Sequence, residues 1–570
     1  MKNNKNPLRA RAPVLIGAGW LVVSAAVGTA ATLPTPGEES HYAGYTQHEA
    51  VARFLSRVQA LAPEARVLVI GRTKDVREYA GRDLYLCVLS EEGVARPDQR
   101  NPDKPTVLIV ASQHGNEQSA KEAALELIRD VALGDLRPLL KRVNLLVIPQ
   151  ANPYGNFFDR RTNEQDLDLN RDHAKLESEE TRAIHRVFRD WMPEVTLDLH
   201  EKGDDYYRVS IGCVSNINID PRIQDFARNR VLADVERTLG ASKIAFHEYL
   251  VTEEMGINTA SGAAIGAEDL KDRPIMMRYS TTDLNDGRNS LGIFETLSFI
   301  QECSSRHDLK TLAERTGWQA AGIRAVLRFV AGHGAEVKSL IGDCRKDLAK
   351  RAAPGAENVI HLKMDFARDP GQPELVLKRF ANAGSTIIGV LKSDKKAGDA
   401  VSEEDLAEYP WPSRVKVVTE TVKNWFPLVE PRLNIEAPRG YVIPASRAAV
   451  VETLLRLGVE VETFVQDASV PEEVYQVADI APAKYDYLPP VSMVLERKEL
   501  SSIVHKGDFF VSCDQPAANL IPCLLEPESE FGFIRYQALK LVPEKGGIFA
   551  VARWNGGASL PLVPYENFLR

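Results

Sequence analysis

Two of the eleven histidines in this 570-residue chain carry a glutamate three residues downstream, His114 with Glu117 and His333 with Glu336. A histidine and a carboxylate at that spacing can share a metal ion, but spacing alone is weak evidence. Context separates the pairs. The first follows the apolar run Thr106 to Ala111, which places it at the carboxyl end of a buried strand. There Gly115 permits the tight turn that aims both side chains at one point. The second sits in the Gly-rich stretch Ala331 to Ala335 with no strand to present it, and reads as a solvated capping histidine. His200 ends another apolar run, Val195 to Leu199; alone, it could equally be a hydrogen-bonded histidine at a strand end. Two strand-end histidines and one carboxylate supply the ligand set of a catalytic zinc site, with one position left for water. The six cysteines (Cys87, Cys213, Cys303, Cys344, Cys513 and Cys523) include no Cys-x-x-Cys pair, so any zinc must be held by His and carboxylates.

Between these segments lies Asn152-Pro153-Tyr154-Gly155, then Arg160-Arg161-Thr162-Asn163 and Asp168-Leu169-Asn170-Arg171. Arginines and an asparagine in one loop after a strand end can bind a carboxylate and steady an oxyanion; the plainer reading is a polar surface loop of Arg and Asp pairs. Glu295 follows Leu291 to Phe294, read as a further short strand. A lone Glu there is usually a strand-end acid, but at the same rim it could take a proton from zinc-bound water.

The sequence resembles the zinc metallocarboxypeptidase family, that of carboxypeptidase A and its bacterial relatives, over about residues 45 to 330. The resemblance rests on His114-Gly115-Asn116-Glu117, Asn152-Pro153 with Gly155, Asp168 to Arg171, Asp198-Leu199-His200 and Gly292-Ile293-Phe294-Glu295, in the family's order. It implies that His114, Glu117 and His200 hold one Zn2+ per chain and that Glu295 is the catalytic carboxylate. It further implies that Arg161, or Arg160 one register away, polarises the scissile carbonyl. Asn170 and Arg171 then hold the substrate's terminal carboxylate, and Asp168 orients the first zinc histidine. Tyr154 departs from the aspartate often found there. The family's active-site tyrosine has no clear counterpart; Tyr279 is nearest and takes no role.

The elements that must present these residues read as α/β. Short runs at Arg66 to Ile70, Leu84 to Leu89, Thr106 to Ala111, Leu145 to Pro149 and Val195 to Leu199 alternate with helical patterns at Ser119 to Leu133 and Glu177 to Trp191. The expected fold is a central mixed, mostly parallel sheet flanked by helices, with a C-terminal α/β accessory domain. Gly317 to Val330 reads as the helix closing the first domain and Lys338 to Ala352 as a charged helix leading out of it. Ala353 to Ala356, Arg368 to Pro373 and Ser393 to Glu404 read as polar loops. Tyr441 to Pro444, Arg447 to Leu457 and Val459 to Val465 read as strand, helix and strand. Gly507 to Glu528 resembles the accessory region trailing the catalytic domain in some large bacterial members. The divisions are 1–31, a signal peptide; 42–332, catalytic; 333–404, linker and start of the accessory region; and 405–570, accessory.

Lys2, Lys5, Arg9 and Arg11 precede an apolar stretch and small residues up to Ala31, the order of a cleaved export signal; an uncleaved anchor is the alternative. A formal charge of −9, from 70 Lys plus Arg against 79 Asp plus Glu, offers no basic surface for nucleic acid. An oxidising destination would permit disulfides. The reading is a periplasmic or secreted zinc hydrolase that removes C-terminal residues from peptides with a free carboxylate, without stable membrane association once the signal is cut. The alternatives are a zinc amidase acting on cell-wall peptides or acylated amino acids, and a non-catalytic binding protein on the same scaffold.

Overall fold

The central strands are apolar on both faces, the pattern of a sheet covered by helices on both sides. The computed structural model describes residues 33–253, 275–305, 307–380, 417–483, 486–556 and 559–565. The expected signal segment and the loop at Ser393 to Glu404 lie outside the described residues. In chain order the strands are β1 (Ala65–Arg72), β2 (Asp83–Leu89), β3 (Thr106–Ala111), β4 (Asn144–Ile148), β5 (Val195–Lys202), β6 (Val209–Cys213), β7 (Phe246–Glu248), β8 (Val251–Glu253), β9 (Ile275–Met277) and β10 (Leu297–Ser304). Eight of them form one mixed sheet in the order β1-β2-β4-β3-β5-β10-β6-β7. Strands β4, β3, β5 and β10 are mutually parallel at its centre, so their carboxyl ends share one rim, where ligands of such sheets bind.

Helices cover this sheet: α1 (Pro36–Glu39), α2 (His48–Leu61), α3 (Gln118–Ala132), α4 (Pro153–Phe158), α5 (Glu179–Trp191), α6 (Pro221–Phe226), α7 (Ala233–Ala241), α8 (Gly287–Gly292), α9 (Leu312–Gly332) and α10 (Gly334–Ala352). Helix α5 begins where the Ser178 side chain accepts from Thr181 N and ends at Met192 in the left-handed region. Helix α10, expected to lead away from the first domain, lies against it: Arg345 donates to Phe294 O, Pro193 O and Thr296 Oγ1. His333 occupies the corner between α9 and α10, half-buried and stacked 4.2 Å from the Phe329 ring; its side chain makes no N-cap bond to α10, but its Nδ1 lies 2.9 Å from Phe329 O in the last turn of α9.

One element differs from its expectation in a way that matters for chemistry. Leu291 to Phe294 is not a strand: Asp286 caps the short helix α8 by accepting from Asn289 N, and the chain turns through Glu295, at φ 54°, before β10 starts at Leu297. A four-residue apolar run is compatible with either state. Here the helix cap decides.

The C-terminal region is a sheet more than an α/β layer. A seven-stranded sheet includes Gly440–Ile443, the long hairpin strands Ala468–Ala481 and Ser492–Val504, and Phe509–Ser512; Ala448–Arg456 is its longest helix among the described residues. Apolar side chains of both regions join one continuous core, from Leu108 and Phe299 to Ile443 and Phe533. Polar bonds tie the seam: Asn519 Nδ2 donates to Asn218 O at 2.8 Å, and Arg535 pairs with Asp283 at 2.9 Å. All six cysteines are unpaired and buried. No helix among the described residues is long and apolar enough to cross a membrane.

Candidate metal centre and active site

The turn after β3 packs backbone against backbone. A Cβ on Gly115 would fall 2.0 Å from Gly155 C, so only glycine lets this turn seat against the first turn of α4. Asn152 fastens the same junction, accepting from Gly155 N and donating to Gln113 O. The turn thereby presents His114 and Glu117, and β5 presents His200.

These three buried residues converge. Glu117 Oε1 lies 2.8 Å from His114 Nδ1, Glu117 Oε2 lies 2.8 Å from His200 Nδ1, and the two Nδ1 atoms are 3.0 Å apart. Each imidazole is held from behind by a carboxylate: His114 Nε2 donates to Asp168 Oδ1 at 3.0 Å and His200 Nε2 to Asp198 Oδ2 at 2.7 Å. A carboxylate can only accept, so the Nε2 protons are fixed and both Nδ1 lone pairs face the Glu117 oxygens. Three acceptors gathered out of water fit one cation, and two nitrogens with one carboxylate suit zinc better than calcium or magnesium. Burial alone would raise Glu117; positive charge on the two imidazoles, when protonated, lowers it below the usual carboxylate range. Asp168 is likewise held low, its burial outweighed by the His114 bond and by Arg161 and Arg171.

The loop of arginines is divided by this geometry. Arg161 faces the centre: its Nε donates to Asp168 Oδ2 at 2.9 Å and its Nη1 lies 3.2 Å from His114 Nδ1, with 46% of the side chain exposed. Arg160 points away, paired with Asp166 and lying over the Tyr154 ring. Asn170 places its Nδ2 3.2 Å from His200 Nε2, and Arg171 is exposed beside it, donating to Asn170 O.

Glu295 is not at this rim. In β10, Leu297 pairs with Val195 at the start of β5, and Glu302 pairs with His200 at its end. Five residues at about 3.3 Å each separate Leu297 from Glu302, which puts Glu295 roughly 15 Å or more from the metal donors. It sits in the seam instead, accepting from Asp220 N at 2.9 Å and Asn519 Nδ2 at 3.0 Å, with Arg351 3.8 Å away. The carboxylate beside the centre is Glu302, 6% exposed. Its Oε2 has no hydrogen-bond partner among the described residues, and the Tyr249 hydroxyl donates to the carboxylate. Burial pushes Glu302 up to about 7, with His200 opposing and Glu117 adding to the shift. Tyr279 lies buried, its hydroxyl without a partner among the described residues.

Sequence reading missed Glu302, Tyr249, Asp198 as an orienting group, and Gln113. Two of them left a signal. Asp198 and His200 are i and i+2 on one strand and therefore share a face, and the mostly apolar run Leu297 to Ile300 leads into Gln301 and Glu302. Gln113 donates to Asp198 Oδ2 and bonds His173 Nε2, which in turn reaches His185, a buried chain that nothing in the spacing announces.

Residues 51–200 match the zinc carboxypeptidase family model. Carboxypeptidase 2 of Trichophyton rubrum is 24% identical over 474 residues, covering 80% of this chain and 77% of that protein. Carboxypeptidase E of Caenorhabditis elegans is 28% identical over 194 residues, covering 30% of this chain and 39% of that protein. A metallo-carboxypeptidase structure from Burkholderia cenocepacia superposes with a TM-score of 0.37 at 22% identity, covering 51% of this chain and 71% of that one. The Trichophyton match over four-fifths of the chain is fungal, so it lends nothing to the expected likeness with large bacterial members. The motifs stand in family order, and the stretch that matches the zinc carboxypeptidase family, residues 51–200, ends on His200.

Proposed function

We propose that this protein releases C-terminal residues from peptides bearing a free carboxylate, with one zinc per chain held by His114, Glu117 and His200. The observation that carries the reading is the shared rim: three convergent donors, an arginine and an unpartnered buried carboxylate oxygen all stand at the carboxyl ends of β3, β5 and β10. Zinc in such a donor set supplies Lewis-acid polarisation of a carbonyl and activation of water near neutral pH. Glu302 takes the role expected of Glu295. It accepts the proton of the attacking water on its free Oε2 and returns it to the leaving amine, a task suited to a carboxyl held near neutrality. Tyr249 holds that carboxylate in place. Arg161 stabilises the tetrahedral oxyanion, and Asp168 and Asp198 fix the imidazole tautomers. Asn170 and Arg171 grip the terminal carboxylate, which positions the last peptide bond over the centre.

Export and removal of about the first 31 residues complete the proposal, on the strength of the N-terminal sequence. The test is a matched set of peptides with free and amidated C-termini. Free peptides should lose their last residue, with amides cut at least about tenfold less well, since a charge-assisted contact contributes about 1.5 to 3 kcal/mol. Equal rates, or cleavage within the chain, would favour an amidase on other substrates.

A further inference from the structure

We propose that Arg288 selects an acidic side chain, aspartate or glutamate, on the residue being released. The inference rests on the carboxypeptidase reading above and deepens it. Helix α8 lies across the sheet face that carries the centre. Gly287 N donates to Asn170 Oδ1 at 2.8 Å, and a Cβ on Gly287 would meet His173 Nε2 and Gln113 Nε2 at 3.1 and 3.2 Å. On that face strand register stacks Glu302 with His200 and Ser210, and one pair deeper, about 6 to 7 Å in, Ile300 with Asp198 and Gly212. The Arg288 guanidinium sits at this deeper level. A Cβ on Gly212 would lie 3.1 Å from Arg288 Nη1, 3.1 Å from Tyr249 Cβ and 3.4 Å from Ile300 Cγ2. The cation therefore forms the floor beneath Tyr249 and Glu302.

Its bonding is incomplete. Arg288 is 1% exposed, yet its Nε and Nη1 have no hydrogen-bond partner among the described residues. Only Nη2 is engaged, with Ser280 Oγ at 3.0 Å, Thr281 O at 3.3 Å and Asp286 Oδ2 at 3.5 Å; Asp286 is its one carboxylate within salt-bridge distance among the described residues. Buried donors in native proteins are almost always satisfied, so a fully buried guanidinium with the N–H groups of two nitrogens free asks for an acceptor. The Nη1 group, at the level of Gly212, can donate to one carboxylate oxygen in a charge-assisted bond. A substrate whose terminal carboxylate is held at Asn170 and Arg171 lies beside the start of α8 and can extend its side chain to this floor. An acidic side chain completes the bonding. An apolar one leaves the donors unpaired, and a basic one meets like charge.

The experiment compares kcat/KM for peptides differing only in the last residue: Glu, Asp, Gln, Leu or Lys. The same series is run with Arg288→Met and Arg288→Gln, after zinc content and thermal unfolding show that the variants are folded. The wild type should release Glu or Asp at least tenfold better than Gln, and both variants should erase most of that ratio. If a variant does not fold, the wild-type series decides by itself. Preference for Leu or Lys over Glu, or an unchanged Glu to Gln ratio in a folded variant, overturns the role of Arg288 and leaves the carboxypeptidase reading standing. Release of no C-terminal residue from any peptide overturns both.

Discussion

The two ends of β10 carry buried glutamates that look alike in isolation. Glu295 and Glu302 are both closed off from solvent and both pushed up to about 7 by burial. Their neighbours differ. Glu302 ends the strand beside His200, with a free oxygen and a tyrosine hydroxyl. Glu295 precedes the strand and spends its oxygens on Asp220 N and Asn519 Nδ2, joining the first sheet to the C-terminal region. A displaced carboxyl pKa therefore does not identify a catalytic acid. Strand direction does, because only the carboxyl ends of the parallel strands converge on the centre.

The comparison is broken most severely by attacking the metal donors. Chelation, or Glu117→Ala, should reduce peptide release to background and take zinc below one per chain, while the seam around Glu295 stays folded; retained activity without zinc would remove the reason for placing chemistry at this end. Arg161→Ala should lower kcat by roughly 10² to 10³-fold, the scale of one oxyanion donor. If Arg160→Ala has that effect instead, the division of the arginine loop is wrong.

The smallest effect lies at the other end of the strand. Glu295 holds its proton up to about 7 against an ordinary 4.5, so the folded chain binds that proton more tightly than the unfolded chain. Its contribution to stability is complete below about 4.5 and is lost as pH rises through 7. Glu295→Gln removes this dependence. In urea unfolding, the stability of the variant relative to wild type should therefore increase by about 1 to 3 kcal/mol between pH 5 and pH 8. A difference that does not change with pH would mean that Glu295 is not held protonated.

Much of this was legible in the sequence where local and tertiary signals agree. Thr106–Ala111 has the expected limits as a strand, and His114, Glu117 and His200 fall together because each follows an apolar run long enough to be a central strand. The assignment of Glu295 failed where those signals part. Leu291 to Phe294 is apolar enough for a strand, but the Asp286 cap commits its start to helix, and strand identity passes to Leu297–Ser304. Tyr249 was unreadable because it follows a three-residue strand, too short for a period to show. Arg288 lay hidden in a polar stretch, since burial of its charge depends on packing between α8 and β6 that no spacing encodes.

The central claim is that the proton is moved at the carboxyl end of β10. It is tested most directly by measuring kcat and bound zinc for Glu302→Gln and Glu295→Gln side by side on one free-carboxylate peptide. Glu302→Gln should keep one zinc per chain and lose roughly 10² to 10⁴-fold or more in kcat, and Glu295→Gln should keep both zinc and turnover within a few-fold. A Glu302→Gln enzyme with full activity, or a Glu295→Gln enzyme that binds zinc and cannot turn over, would contradict the account.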